Sequence, residues 1–187
     1  MCYKIEKDIL EIGILSGQPV VVITTIDENG VRNAAAFGSY FRLGKSVIIA
    51  MHKKSHTCQN ILKTGEFVMN IPGFKDFESI MMVSRDYSGK QDEIAGAGLS
   101  EEKSSKVAPP TITEYPASVE CRMKWSKDEG EEVILSAEMI CGKCDESYMD
   151  MKGKFDQVKA GILHIVRFPE PLYIKADRYV QGIETMT

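Results

Sequence analysis

The sequence predicts a mainly β chain: six or so strands in an antiparallel barrel, with helices packed outside it. Three observations carry this. Short β-branched runs recur along the chain, turn signals such as Asn29-Gly30 and Pro72-Gly73 separate them, and only two central segments with helical apolar spacing interrupt the series. At 187 residues the chain can bury a real core and reads as a single domain over residues 1–187.

The elements follow in order. KIEKDILEIGIL places Ile5, Ile9, Ile12 and Leu15 near helical spacing, and Gly17 stops a short packing helix. Residues 20–26 are a β-branched strand whose two faces both meet protein. Asp27-Glu28-Asn29-Gly30 turns it, and Val31 begins the return. SVIIAM, residues 46–51, is the next strand. Ser55 then caps a short helix, HTCQNILKT, which Gly65 closes. A strand over 66–71 ends at Pro72-Gly73. An amphipathic helix follows over 74–85, with Phe74, Phe77, Ile80 and Met81 on one side. DYSGKQDEIAGAGLSEEKSSKVAPP is polar and too long for a tight connection, the profile of a binding loop or lid. ASVECRMKWS and EEVILSAEMICGKC form a long hairpin around residues 127–130, and a last strand runs over 162–168.

Composition narrows the classes of function. Hydrophobic residues make up 43% and charged residues 27%, ordinary for a globular chain. A net charge of -4 gives no electrostatic support for nucleic-acid binding, and no apolar run is long enough to span a membrane. The N-terminal stretch MCYKIEKDILEIG lacks the uninterrupted apolar core of a secretory signal. Five cysteines, an odd number without scaffold spacing, fit free thiols in a reducing compartment, so a cytoplasmic setting is expected.

The densest set of reactive side chains is MHKKSHTCQN, residues 51–60. Three chemistries compete for it. As a metal site, His52, His56 and Cys58 need a fourth ligand, and His52 ends a strand while His56 follows the cap, so they need not converge. As a thiol site, Cys58 near a helix start beside Lys53, Lys54 and His56 has no resolving partner, and burial is the commoner fate. As an anion site the stretch uses more of its residues. A strand–turn–helix junction presents backbone N–H groups, Ser55 and Thr57 add hydroxyls, Lys53 and Lys54 add charge, and Asn60 lies one turn on. A phosphate fits better than a metal.

Cys141-Gly142-Lys143-Cys144 has no second pair for a cluster and no following helix for a thioredoxin-type switch, so strand cysteines are the simpler reading. No dinucleotide fingerprint, phosphate-binding loop, HExxH or GxSxG is present. The run Asn33-Ala34-Ala35-Ala36-Phe37-Gly38-Ser39 is poor in strand formers. Either a flat ligand approaches its backbone, or a neighbouring helix packs tightly on it.

In order and spacing, VVVITTIDENGVRNAAAFGSYF, SVIIAMHKKSHTCQNILKTGEFVMNIP, Ser84 before a glycine-containing loop, and AGLS with KVAPPTITEYPASVEC resemble the flavin reductase-like, FMN-binding split-barrel family, which includes flavoredoxin. The resemblance spans residues 18–135 well and the rest loosely. It implies a six-stranded Greek-key split barrel and a homodimer with one FMN per subunit near the interface. It also implies flavin contacts along Asn33, Ala34, Ala35, Ala36, Phe37, Gly38 and Ser39, and a phosphate among Lys53, Ser55, His56, Thr57 and Asn60, with Ser84 and Arg85 near the cofactor. Hydride from a nicotinamide nucleotide, or electrons from a redox protein partner, would pass through FMN, and no protein nucleophile or base is required. Two alternatives stay open: a flavoredoxin-like electron carrier, and an FMN-binding protein without nicotinamide turnover. The C-terminal stretch LHIVRFPEPLYIKADRYVQG departs from the family's paired glycines and tyrosine, and the Cys141/Cys144 pair is not a family motif.

Overall fold

The computed structural model describes residues 18–85, 92–167 and 172–179. The helix expected over 5–15 lies outside them. The strands are β1 (Gln18–Pro19), β2 (Val21–Ile26), β3 (Arg32–Phe37), β4 (Tyr40–Leu43), β5 (Ser46–His52), β6 (Glu66–Ile71), β7 (Glu101–Glu102), β8 (Thr111–Ile112), β9 (Ala117–Glu129), β10 (Glu132–Cys144), β11 (Leu163–Arg167) and β12 (Leu172–Lys175). The helices are α1 (His56–Thr64), α2 (Phe77–Val83), α3 (Glu93–Gly96) and α4 (Gln157–Ala160).

The main sheet is antiparallel with the order β3-β2-β6-β9-β10-β5-β4. Its two edges are consecutive in the chain, joined only by Gly38 and Ser39. Laid flat, seven strands would separate those edges by about 29 Å, whereas a two-residue link spans at most about 11 Å. The sheet therefore curls until its edges approach. Inside the curl, Val21, Ile23, Ile49, Phe67, Met69, Cys121 and Leu135 form one core, which Cys58 and Ile61 of α1 cap. Outside β2 and β3 a second core joins Val22, Ala34, Ile80, Val83, Ile94 and Ile112. The all-buried run of Val21–Thr25 follows from this, since one face meets each core.

The expected six-stranded barrel needs correcting. The main sheet has seven strands, and among the described residues no ladder joins β3 to β4, so the curl is open along one seam. A second sheet, β1-β11-β12, lies beside it. The strand β12 had no counterpart in the sequence reading.

Local signals set the boundaries of α1. Ser55 Oγ accepts the Cys58 N–H at 3.2 Å, and Gly65 closes the helix at φ 74°, a conformation that suits glycine. The second amphipathic segment splits: Phe74–Asp76 is a 3-10 turn and only Phe77–Val83 is α-helical. The tighter turn rotates Phe74 off the packed side, where the Lys175 ammonium sits 5.1 Å from its ring centre. Among the described residues no helix is long and apolar enough to cross a membrane.

Candidate functional site

A cleft of about 440 Å³ runs along the open edge of β3, lined by Ala35, Ala36, Phe37 and Gly38, by Val83, Ser84 and Arg85 at the end of α2, and by Ile165 and Tyr173 of the second sheet. It shares the walls Ala35, Phe37, Val83 and Arg85 with an adjoining smaller cleft of about 150 Å³. That one is lined by Asn33, Lys54, Ser55, His56, Thr57 and Glu93. A slot with apolar walls thus lies beside a polar hollow at the N-terminus of α1.

Small residues along β3 serve both readings of the run. Ala34 is fully buried against Ile80 and Val83 of α2, so its size reflects packing. At Gly38 a Cβ would come within 2.8 Å of Ile165 Cγ2 on β11, so glycine here lets the β3–β4 link pass against that strand. Ala35 and Ala36 instead line the cleft. As an edge strand, β3 also exposes backbone. Its Ala34 N–H turns away from β2 to the Glu93 carboxylate at 2.9 Å, and strand alternation directs the Ala36 N–H along that same edge.

At the α1 terminus the hydroxyls are already committed. Ser55 Oγ donates to His52 O at 2.8 Å while accepting Cys58 N–H. With the Asn33 amide oriented to satisfy both neighbours, Thr57 Oγ1 donates to Asn33 Oδ1 at 2.9 Å and Asn33 Nδ2 donates to Glu93 Oε2 at 3.3 Å. The groups left to meet an anion are the first N–H groups of the helix, at His56 and Thr57, which have no intrahelical acceptor. Beside them stand the Lys54 and Arg85 side chains, neither of which has an ion-pair partner among the described residues.

The structure thus gathers Asn33, Ala35, Ala36, Phe37, Gly38, Ser55, His56, Thr57, Ser84 and Arg85 around two adjoining clefts. Others fall elsewhere. Lys53 Nζ pairs with Asp128 near the end of β9, and its N–H donates to Glu131 O on the β9–β10 turn, so the charge points away from the cleft. Asn60 Nδ2 donates to Thr25 Oγ1 at 3.0 Å, and Asn60 lines an adjoining basin of about 180 Å³ that shares Asn33, His56 and Glu93 with the hollow. Ala34 and Ser39 do not line the cleft. The anion reading of the sequence counted Lys54 with Lys53, although the family resemblance carried only Lys53 to the phosphate. Val83, Glu93, Ile165 and Tyr173 were not nominated; they arrive through long-range packing that no local pattern signals.

The thiol reading of this region fails on burial. Cys58 lies fully buried in the core, and burial, then the Glu132 charge, pushes its pKa up against the pull of Lys53. Cys141 and Cys144 occupy one extended strand. Three residues of strand separate Cα atoms by about 10 Å, beyond disulfide reach. Burial and then Asp145 push the Cys144 thiol up as well. Among the described residues no three His, Cys, Asp or Glu side chains cluster as a metal site.

Residues 15–159 match the model of the flavin reductase like domain. The chain belongs to this family. Among relatives of the domain, an uncharacterised protein of Methanothermobacter thermautotrophicus is 30% identical over 156 residues, covering 79% of this chain and 74% of its own. The flavoredoxin of Desulfovibrio vulgaris (Miyazaki F) superposes with a TM-score of 0.85 at 18% identity, covering 97% of each chain. An FMN-binding protein of Thermus thermophilus superposes with a TM-score of 0.78 at 13% identity, covering 97% of this chain and 99% of that one. At such identities the superpositions establish a shared fold, and this flavin reductase like domain has its cleft built by the residues described above.

Proposed function

We propose that this protein binds FMN in the β3 cleft and works as a flavin reductase-type oxidoreductase with a nicotinamide nucleotide as electron donor. The observation that carries the reading is the joining of an apolar slot to an anion-accepting hollow along one strand edge. The slot lies within the size range of small-ligand sites, and its walls of Val83, Ile165 and Tyr173 suit a flat aromatic ring system. The hollow offers helix N–H groups and the Lys54 and Arg85 cations to a terminal phosphate. When bound, FMN supplies a two-electron centre that takes hydride from a nicotinamide and hands the electrons on.

The chain's own part is positional. The Ala36 N–H on the open edge would donate to a ring heteroatom and so favour negative charge on the reduced ring. Ile165 and Tyr173 hold water away from one side of the slot, and Tyr173 is itself held by an edge-to-face contact with Phe77, ring centres 5.3 Å apart.

A homodimer in a cytoplasmic setting completes the proposal. Phe41 is 57%, Leu43 63% and Trp125 49% exposed. Cross-strand register through Ile48 and Ser136 sets Phe41 and Trp125 on one outer row of the sheet. An edge strand with such residues favours a second copy as its cover.

The test is a visible spectrum of the purified protein followed by anaerobic titration with NADH and NADPH. A bound-flavin spectrum that bleaches with either donor is expected. Flavin that stays oxidised with both donors but is reduced by a redox protein would make this an electron carrier of the flavoredoxin type. Failure of flavin-free protein to take up added FMN would overturn the cofactor assignment.

A further inference from the structure

A recess between β8, the start of β9 and the end of β10 lies apart from the clefts above. It holds about 610 Å³, within the size range of small-ligand sites, and Ser118 is part of its wall. The strand register places it. Ala36, Val22, Asn70, Ser118 and Lys143 form one cross-strand row over β3, β2, β6, β9 and β10. Val22 of that row belongs to the outer core, and Asn70 Oδ1 accepts the Ile112 N–H at 2.9 Å, so β8 lies over the side of the sheet to which Ser118 points. Four strand spacings, about 19 Å along the sheet, separate Ser118 from Ala36 in the slot.

The polar groups of the recess are nearly all spent. Ser104 gives its one hydroxyl proton to Pro109 O, so Thr111 is the donor in the Ser104–Thr111 contact at 3.1 Å. Thr111 Oγ1 therefore keeps only acceptor capacity. Ser79 likewise gives its proton to Asp76 O, so Tyr115 donates to Ser79 and offers the recess only its ring. Lys143 Nζ serves Glu102 and Lys103 O, and Cys144 Sγ serves Asp145 O. Ser118 is the exception. It is 3% exposed, and among the described residues its Oγ is the one buried side-chain oxygen or nitrogen without a hydrogen-bond partner. An orphaned buried hydroxyl costs about 1–3 kcal/mol, and alanine at this position would avoid that cost. The hydroxyl calls for a partner from outside, and the recess is where one can stand.

We propose that the recess is a second ligand site, for a neutral small molecule that carries a carboxamide on a ring-sized apolar body. The Ser118 hydroxyl donates to the amide oxygen, and Thr111 Oγ1 accepts from the amide N–H. Ile112, Pro116 and the Tyr115 ring form the apolar wall for the body. Charge excludes the corresponding acid. Glu102 and Asp145 set two carboxylates around the recess against one ammonium, Lys143, which Glu102 already holds at 3.0 Å. A carboxylate also has no proton for Thr111 Oγ1. Hydride transfer needs reacting atoms about 3–3.5 Å apart, so a molecule in the recess exchanges none with a ring in the slot. The site takes a ligand other than the redox substrate, and it stands whether or not FMN fills the slot.

The experiment is an NMR titration of the full chain, kept in excess FMN, with benzamide, benzoate and toluene as probes. Saturable shifts of the backbone N–H signals over residues 111–118 and 142–145 with benzamide, and none there with benzoate, are the expected result. Ser118→Ala, which keeps the strand and removes the hydroxyl, is expected to weaken benzamide binding about fivefold, the loss of one neutral hydrogen bond. Toluene has the ring without the amide and is expected to bind more weakly than benzamide, which decides the point on the wild type alone if the variant does not fold. Signals over residues 35–38 report the slot separately, so failure of FMN to bind there leaves the result in the recess readable. Absence of shifts with benzamide in these residues overturns the proposal, as does benzoate or toluene binding as tightly. Undiminished benzamide binding by Ser118→Ala overturns it too, since the hydroxyl then meets only water.

Discussion

Two adjacent lysines show how finely the site is drawn. Lys53 is spent on Asp128, whose carboxylate that contact, more than any other, holds below its ordinary pKa. Lys54, one residue on, stands at the hollow with no ion-pair partner among the described residues. Substituting Lys54 by alanine is expected to weaken FMN binding by about tenfold, the lower range for a charge-assisted hydrogen bond at a partly solvated site. Lys53→Ala is expected to leave the affinity within about twofold, since an exposed pair contributes little. Fluorescence titration checks both, and equal losses at the two positions would remove Lys54 from the phosphate site. From sequence the two were indistinguishable: both lie between the end of β5 and the Ser55 cap, and only Asp128 near the end of β9 decides which ammonium is claimed. Ser55 and Thr57 were legible as part of the junction. That their hydroxyl protons are already in use was not, because it depends on His52 O and on Asn33, a residue 24 positions away from Thr57.

The elements divide between those that local chemistry defines and those that distant partners define. The cap at Ser55, the stop at Gly65 and the turn at Asp27, whose Oδ1 accepts the N–H of Asn29 and Val31, can be read from a few residues. The long segment before β9 could not be. The sequence reading treated it as a binding loop or lid, yet its described part is fastened to the sheet. The fully buried Glu120 carboxylate accepts the Ser105 and Lys106 N–H groups at 2.8 and 2.6 Å. Glu66 takes the Ala108 N–H, Asn70 takes the Ile112 N–H, and Thr24 donates to Pro110 O. These anchors lie on β6, β9 and β2, far from the loop in sequence, and nothing within the loop announces them. Replacing Glu120 by alanine leaves two backbone N–H groups without their acceptor and is expected to cost about 3 kcal/mol of stability. Denaturant unfolding checks the magnitude. Limited proteolysis checks the place, with faster cleavage expected between residues 103 and 110. An unchanged cleavage pattern would show that the loop is held by something else.

At the scale of the whole molecule, the class of fold was legible but its closure was not. Apolar alternation and turns announce strands one at a time, whereas the number in the sheet and the identity of its edges depend on pairings far apart in the chain. The outer row of Phe41 and Trp125 emerges only from that pairing. The proposed homodimer follows from it: Phe41→Glu with Leu43→Glu is expected to yield a monomer in sedimentation velocity while the wild type sediments as a dimer. A monomeric wild type at micromolar concentration would end that proposal. The two-residue link at Gly38 and Ser39 also bears on how the protein is made. Strands β3 and β4 leave the ribosome early, but the strands between them in the sheet include β9 and β10, which end at Cys144. The seam beside which the cleft lies cannot be set until most of the chain has been synthesised. Capture of a cofactor there would therefore select chains whose translation has passed that point and whose sheet is fully assembled.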